Sequence, residues 1–466
     1  MRFQSDRPPP EGASGAGASA LDLIGNSGRD REWLRLPAVE WLLICVSYFA
    51  LFFEIHWVGA DATERFNAIT QLLTSHTLSS TRYSMVGPLF SVPIWYLGKL
   101  LLNDPLRACG YYNWVVFGVF LILLRLLLQP VLEPAVVRRF LLLLVAGSMF
   151  AHHVQDYYGE VFTATCIGAG ALAVCARRGA RLGWIAIVLG AANTPGVALG
   201  ATALCLFFTL DRRRLRYLLP LIGVGAIIAL ETFGRRHGAT GYEGVHQEQT
   251  LMPYSGRPGF SYPIFLGVLG LTLSFGKGLL FFAPGVFAPV NDLLKGNDVM
   301  TKTYRAWLCF LVGIVLSYAK FCGWYGGDFW GPRYVMFASV PASLALALNL
   351  GARTSPFRAF VALMMVTLSV WICADGVLFR HEELTKCAED KYALEHLCWF
   401  VPEFSVWIRP FIVHRQLVLR DFLFLTLYAV VYVVLAAPTV TYLVKSVVSA
   451  CRAHLRPILA WRTWGI

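Results

Sequence analysis

Residues 37–65 read PAVEWLLICVSYFALFFEIHWVGADATER, and this stretch decides the fold. Its first part, 37–59, is an apolar run long enough to span a bilayer, which takes about 20 residues. The run ends in polar residues, so the chain leaves the membrane close to Asp61. A carboxylate at that depth is poorly hydrated, and its pKa can be tuned for proton transfer. We therefore predict a first transmembrane helix and then an external loop that carries Asp61 near its start.

The composition indicates a helical membrane protein. Of 466 residues, 57% are hydrophobic and 15% are charged, whereas soluble domains have about 25% charged residues. Apolar runs of about 20 residues recur along the chain, as in proteins that cross the bilayer many times as helices. We predict an all-α integral membrane protein, a polytopic helical bundle of about 11–13 transmembrane helices.

The apolar runs define one membrane domain, 36–447, between two cytoplasmic tails, 1–35 and 448–466. The first tail is rich in Gly, Ser, Pro and charge, which predicts disorder and no signal peptide. Two runs contain a helix breaker, Asn193-Thr194-Pro195 in one and Gly276-Lys277-Gly278 in the other. After the first span, the runs are 86–102, 110–129, 138–152, 160–176, 182–211, 216–233, 262–290, 305–322, 331–350, 357–378 and 419–446.

The net charge of +12 comes largely from arginines that flank the apolar runs. No basic stripe with interleaved aromatic residues is present, so we expect no nucleic-acid partner. Positive charge marks the cytoplasmic side, which puts the N-terminus inside and the Asp61 loop outside. The same rule puts 152–160, 234–261, 323–332 and 379–417 outside. Three runs then lie between the Asp61 loop and 152–160, where an even number is required, so one of them is short, re-entrant or split.

Two local features of the external loops are also predicted. Residues from Thr63 to Thr74 have apolar side chains at helical spacing, which indicates a short amphipathic helix lying on the membrane. Cys387 and Cys398 share one external loop, where both a disulfide and two free thiols are compatible with the sequence. Most other cysteines lie inside apolar runs and lack the spacing of a zinc site.

Polar residues cluster at four external places, which suggests a single polar cavity open to the outside. Ionisable residues at membrane depth are costly and usually face a cavity or a partner. Asp61 is the candidate catalytic base, and the cations and aromatics suit a phosphate and a sugar ring. The candidate substrate-binding residues are Glu64, Arg65, Arg82, Tyr83, Asp156, Tyr158, Glu160, Lys277, Trp324, Tyr325, Arg333 and Tyr334.

Each cluster also has a structural interpretation. Asp61 is equally suited to cap the amphipathic helix, and the aromatic and glycine residues of 323–334 are typical of an interfacial belt with a turn. His152 and His153 are adjacent, and adjacent histidines rarely point the same way, so we expect interfacial packing and no metal site there. We expect no cofactor, and the sequence does not exclude a divalent metal.

Four motifs resemble those of GT-C glycosyltransferases, multi-span membrane enzymes that use polyprenyl-phosphate sugars. Gly59-Ala60-Asp61 with the following Thr81-Arg82-Tyr83-Ser84 is similar to their acidic motif after the first helix. Asp156 to Glu160 resembles the acidic position that opens a later helix. Ser274-Phe275-Gly276-Lys277-Gly278 and Gly326-Gly327-Asp328-Phe329-Trp330-Gly331-Pro332-Arg333-Tyr334 look like segments of bacterial members. The resemblance covers most of 37–350.

The resemblance implies an inverting transfer of a sugar from a polyprenyl-phosphate donor to a hydroxyl of a glycan, lipid or protein. It implies that Asp61 is the base, on the periplasmic face of an inner membrane, and that membrane lipids surround the protein. Family members often carry two adjacent acidic residues, whereas Ala62 follows Asp61 here. Acceptor recognition would then come from the loops 234–261 and 379–417.

Two other functions fit the same sequence. Broken helices and a lysine at membrane depth are also expected of a transporter or flippase for a lipid-linked sugar or an anion. A polysaccharide polymerase or ligase uses a lipid-linked donor too, and the basic loop 234–261 is compatible with one. A transporter would tolerate the loss of the Asp61 charge, whereas an enzyme that uses Asp61 as a base would not.

Overall fold

The computed structural model describes residues 37–235, 250–327, 330–351, 355–379, 393–412 and 416–462. The predicted N-terminal tail, 1–35, lies outside the described residues, as does half of the basic loop 234–261, residues 236–249. Within the described part the chain is helical and has no strand, which confirms the predicted all-α class. One isolated bridge pairs Trp57 with Asp156 and ties the Asp61 loop to the 152–160 segment.

Eighteen helices are referred to by number below. They are α1 (Pro37–Phe53), α2 (Asp61–Ser75), α3 (Val86–Phe90), α4 (Val92–Leu102), α5 (Pro105–Leu128), α6 (Pro134–Ala146), α7 (Phe150–His153), α8 (Gly159–Ala176), α9 (Ala180–Asn193), α10 (Pro195–Arg212), α11 (Leu215–Arg235), α12 (Ile264–Leu273), α13 (Leu279–Phe282), α14 (Asp298–Lys320), α15 (Arg333–Leu350), α16 (Pro356–Leu378), α17 (Glu395–Phe400) and α18 (Leu419–Arg462). Short 3-10 turns cover Pro284–Phe287, Pro402–Phe404 and Arg409–Phe411.

Seven of the described helices are long and apolar enough to cross a membrane, or eight if α9 and α10 together form one span. These numbers support a multi-pass membrane protein but fall short of the predicted 11–13 spans. The reason is that several predicted runs are broken into pieces shorter than the roughly 20 residues a span requires. The run 86–102 is divided into α3 and α4, 138–152 gives the 13-residue α6, and 262–290 gives α12 and α13.

The predicted break at Asn193-Thr194-Pro195 is present. The chain bends by 117° between helices α9 and α10. Asn193 is fully buried at the corner, and its amide bonds to two other parts of the chain. Its Oδ1 accepts from the Gly87 N–H at 2.9 Å, and its Nδ2 donates to the Gly159 carbonyl at 2.8 Å. The side chain therefore holds the broken helix against the starts of α3 and α8.

Helix α8 lies inside the bundle, and 83% of its residues are buried. It packs closely on α9 because glycines face each other across the contact: a Cβ on Gly170 would lie 2.6 Å from the Gly183 carbonyl oxygen. Close backbone approach through small residues is the usual way in which membrane helices pack. The terminal helix α18 continues to Arg462, so the predicted span 419–446 and much of the predicted C-terminal tail form a single helix.

Candidate functional site

The predicted amphipathic helix is α2, and it begins at Asp61. Ala60 stands at its N-cap with φ +47° and no side-chain cap, so Asp61 does not cap the helix. Its carboxylate instead accepts a hydrogen bond from Arg333, whose Nη2 lies 2.9 Å from Oδ2. This ion pair joins two residues that are 272 positions apart in the sequence.

Further groups surround the Asp61 carboxylate. Arg82 Nη2 lies 4.0 Å from its Oδ1, and Tyr83 hydrogen-bonds to it. Burial alone would raise the pKa of Asp61, but the Arg333 charge, the hydrogen bonds from Tyr83 and Arg333 and the Arg82 charge outweigh burial and lower the pKa below 3.8. Asp61 is therefore ionised at neutral pH.

Arg333 is the buried centre of the charge cluster, with 6% of the residue exposed. Its Nε lies 3.9 Å from Glu160 Oε1, so the guanidinium stands between two carboxylates. The planar group also lies over the rings of Tyr158 and Tyr334, at 5.2 and 5.0 Å from their centroids. Burial, two acids and two rings hold the Arg333 side chain in one orientation.

The glycine-rich turn that precedes Arg333 is held from behind by Lys277. The Lys277 Nζ donates to the carbonyls of Gly327 and Gly331, at 3.0 and 3.1 Å. Gly326, Gly327 and Gly331 have φ of +81°, +80° and +65°, which side chains with a Cβ rarely adopt. Lys277 is thus a buried support of the turn, and the structure does not place its ammonium group in the cavity described below.

Arg65 is the second buried guanidinium, one turn after Asp61 on α2, with 7% of the residue exposed. It lies 5.0 Å from the centroid of the Tyr83 ring. Within the described residues it forms no ion pair, and its Nε and Nη1 have no hydrogen-bond partner. A buried charge without an opposite charge is costly. An anion bound beside Arg65 would offset this cost.

These groups line one cavity of about 230 Å³. Eight predicted site residues lie on its wall: Asp61, Arg65, Arg82, Tyr83, Tyr158, Glu160, Arg333 and Tyr334. We call it the Asp61 cavity. It holds three guanidinium groups against two carboxylates, so its formal charge is positive.

The sequence interpretation missed part of the wall of the Asp61 cavity. The corner of the broken helix lies on it, as do several aromatic residues and two loop positions. These residues are Ser84, Asn193, Thr194, Pro195, Gly196, Phe260, Tyr318, Phe321 and Gly327. The breaker sequence at 193–195 was visible, but nothing in it indicated that the corner faces the same cavity as Asp61.

Four other predicted site residues lie away from the cavity. Trp324 and Tyr325 are buried against Trp399, with ring centroids 5.5 and 3.7 Å from its ring. The exposed Glu64 accepts a hydrogen bond from the Thr81 hydroxyl at 2.8 Å. Asp156 is buried, and its Oδ2 lies 3.9 Å from His152 Nε2. The aromatic wall is formed instead by tyrosines and phenylalanines of other segments.

One group of metal-type donors occurs among the described residues. The donor atoms of His152, His153 and Asp156 all lie within 4.8 Å of one another, and all three residues are buried. His152 Nδ1 is already bonded to the Gly376 carbonyl at 2.7 Å, and its ring packs on Trp330 at 4.7 Å. The two histidines are packed inside the protein, and Asp156 supplies a third donor that the sequence did not suggest; interfacial packing and the expected absence of a metal there stay predictions.

Cys398 is disulfide-bonded. Cys387, the other cysteine of the same predicted loop, lies outside the described residues.

Comparisons with known proteins found no match: no family model, no curated protein and no solved structure matches the chain.

Proposed function

We propose that the protein is a membrane glycosyltransferase of the GT-C type, which moves a sugar from a polyprenyl-phosphate donor to a hydroxyl acceptor. The single observation that carries the proposal is the Asp61 cavity. The ionised Asp61 carboxylate and the buried Arg65 guanidinium, which has no ion-pair partner among the described residues, share its wall. A proton acceptor beside a site for an anionic leaving group is what transfer from a phosphate requires.

In the proposed reaction, Asp61 is the general base. The acceptor hydroxyl loses its proton to the carboxylate as its oxygen bonds to the sugar C1 from the face opposite the phosphate. The bond between C1 and the phosphate oxygen breaks, and the polyprenyl phosphate leaves with the electron pair. The configuration at C1 is thereby inverted.

The arginines stabilise the charge that develops on the leaving phosphate. Arg65 has two donor atoms free of any hydrogen bond, so it binds phosphate oxygens without breaking an existing contact. Arg333 is oriented by Asp61 and Glu160 and adds a second positive charge. Arg82, with 43% of its side chain exposed, stands at the more open side, where an entering anion meets it first.

The remaining wall suits the sugar. Glu160 Oε2 is buried without a hydrogen-bond partner and is available to accept from a sugar hydroxyl. Tyr318 and Tyr334 stack with centroids 4.4 Å apart and offer a rigid aromatic surface. The cavity is smaller than the roughly 300–1,000 Å³ of pockets that enclose whole ligands. It therefore takes the sugar and phosphate while the lipid chain stays outside.

The decisive experiment compares Asp61→Asn with wild type in proteoliposomes supplied with polyprenyl-phosphate sugars and a mixture of glycan and lipid acceptors. Asn keeps the size of the side chain and removes the base, so transfer is expected to fall by at least a hundredfold. Donor binding, measured separately, should remain. Glu64→Gln, an exposed acid on the same helix, is the matched control and should retain activity. If Asp61→Asn turns over at a near wild-type rate, Asp61 is not the base.

A transporter or flippase of a lipid-linked sugar is the second candidate. The corner between α9 and α10 favours it, since broken helices line the substrate sites of many transporters. In the same proteoliposomes, a transporter moves the labelled donor across the bilayer without consuming it, and Asp61→Asn leaves that movement intact. A polymerase or ligase is a third candidate, and half of the basic loop 234–261 on which it depends, residues 236–249, lies outside the described residues.

The long apolar helices indicate a multi-pass membrane protein. We propose the inner membrane, with the N-terminus in the cytoplasm and the Asp61 cavity on the periplasmic or external face. The arginine-rich loops after α8 and α10 support this orientation through the positive-inside rule.

A further inference from the structure

A second pocket lies at the opposite end of helices α8 and α9 from the Asp61 cavity. It has a volume of about 440 Å³ and is lined by Val174, Arg177, Ala180, Trp184, Phe208, Arg212, Arg214, Arg216 and Tyr217. We call it the arginine pocket. Helix α8 starts at the Asp61 cavity and ends at the arginine pocket; its 18 residues make it about 27 Å long. The two sites therefore lie near opposite faces of the membrane.

The arginine pocket has an excess of positive charge that the protein does not neutralise. Residues 176–217 contain seven arginines and a single acidic residue, Asp211. Asp211 is already shared between Arg212, at 3.1 Å, and Lys302, at 3.2 Å. Within the described residues, Arg177, Arg214 and Arg216 form no ion pair with a carboxylate. Four guanidinium groups thus line one pocket, and among the residues that the structure describes only Arg212 has an acidic partner.

The pocket floor is aromatic. Trp184 packs on Phe208 with centroids 5.2 Å apart and on Tyr217 at 5.8 Å. The helices that carry these residues also expose large apolar side chains, as expected of surfaces in contact with lipid chains. Those near the pocket in sequence are Leu182, Ile185, Leu210, Leu215, Leu219 and Ile222. The arginine pocket is therefore a basic cup at the edge of an apolar, lipid-facing surface.

We propose that the arginine pocket binds the headgroup of an anionic phospholipid, with the acyl chains along the exposed apolar side chains of α9 and α11. The positive-inside rule explains why the loops are basic, but it does not require that the arginines line a pocket. Basic pockets between transmembrane helices on the cytoplasmic side suit anionic headgroups. An aromatic floor suits the interfacial depth of a headgroup. An arginine guanidinium group can donate two parallel hydrogen bonds to phosphate oxygens.

The test uses the full-length protein in detergent, titrated with phosphatidylglycerol and followed by native mass spectrometry, with phosphatidylcholine as the neutral reference. The pocket variant is Arg214→Gln with Arg216→Gln. The control is Arg178→Gln with Arg181→Gln, which removes the same charge from exposed neighbours that do not line the pocket. Each hydrogen bond between a pocket arginine and a headgroup phosphate oxygen contributes about tenfold in affinity, so the pocket variant should bind phosphatidylglycerol at least about tenfold more weakly. The control should stay within about twofold of wild type.

Two results would overturn the proposal. Equal losses in the pocket and control variants would mean that the loop attracts anionic lipid through its overall charge alone. Displacement of phosphatidylglycerol by inorganic phosphate at similar concentration would mean that the pocket is a site for a soluble anion. Retention of a monodisperse, folded protein is verified for each variant by gel filtration before the titration.

Discussion

Replacement of Arg65 by Met is expected to stabilise the protein while it weakens donor binding. Two donor atoms of the buried guanidinium have no hydrogen-bond partner, and each unsatisfied buried group costs about 1–3 kcal/mol. The contact with the Tyr83 ring offsets about 0.5–2 kcal/mol of that cost. Met has a similar length and no charge, so the net gain for the ligand-free protein should be about 1–3 kcal/mol.

In the proposed reaction Arg65 binds the donor phosphate, so the same substitution should also weaken binding of the donor. Loss of one member of a buried charge pair costs about 2–5 kcal/mol in binding. The two measurements are the midpoint of chemical denaturation in detergent and the affinity for polyprenyl phosphate by calorimetry. Arg82→Met is the matched control. The Arg82 side chain is 43% exposed and already hydrogen-bonded to Tyr83, so its removal should bring no gain in stability. A destabilised Arg65→Met protein with unchanged affinity would refute the reasoning, because Arg65 would then be purely structural.

Three further predictions concern the same site. Arg333→Ala should raise KM for the donor at least tenfold in steady-state assays; an unchanged KM would remove Arg333 from donor binding. Because the Arg333 and Arg82 charges and the hydrogen bonds from Tyr83 and Arg333 lower the pKa of Asp61, the proposed base stays ionised until pH falls through that lowered pKa. We expect kcat/KM to decline only there, together with the stabilising effect of the ion pair. In Arg333→Ala the acid limb should move to higher pH, since the main lowering charge is gone, and an unmoved limb would assign it to another group. Gly159→Ala would put a Cβ 2.9 Å from both Arg65 Nη atoms and should cost about 1–3 kcal/mol of stability. The control Gly225→Ala lies in open space and should be neutral or stabilising by up to about 1 kcal/mol. Equal effects of the two substitutions on the denaturation midpoint would refute the predicted clash.

The parts of the fold that depend on local sequence were predictable. The helical spacing after Asp61 gave α2 within two residues at its start, and Pro195 marked the corner of the broken helix. The number of spans was overestimated because hydropathy measures how apolar a run is and not whether its backbone stays helical. The run 86–102 is apolar except for Ser91 and Lys99, and it divides at Ser91 into α3 and α4.

Side-chain roles were predictable only where charge limits the alternatives. A buried arginine needs an anion, so Arg333 facing Asp61 follows from chemistry. Trp324 and Tyr325 were expected to stack on a sugar, but Trp399, some 75 positions later, covers them. Lys277 was expected to bind phosphate, but its donors reach backbone carbonyls of the glycine turn. Periodicity reveals which residues share a face, whereas the partner of that face is set by tertiary packing.

The main-chain atoms on the wall of the Asp61 cavity limit how mutation can reshape it. Gly196, at the corner between α9 and α10, and Gly327, on the glycine turn, line the cavity without a side chain. Mutation alters side chains and leaves carbonyl and amide groups in place, so these two parts of the wall are nearly fixed. A change in what the cavity admits would have to come from the side chains of the other wall residues, of which five lie within 61–84 and the rest on later segments.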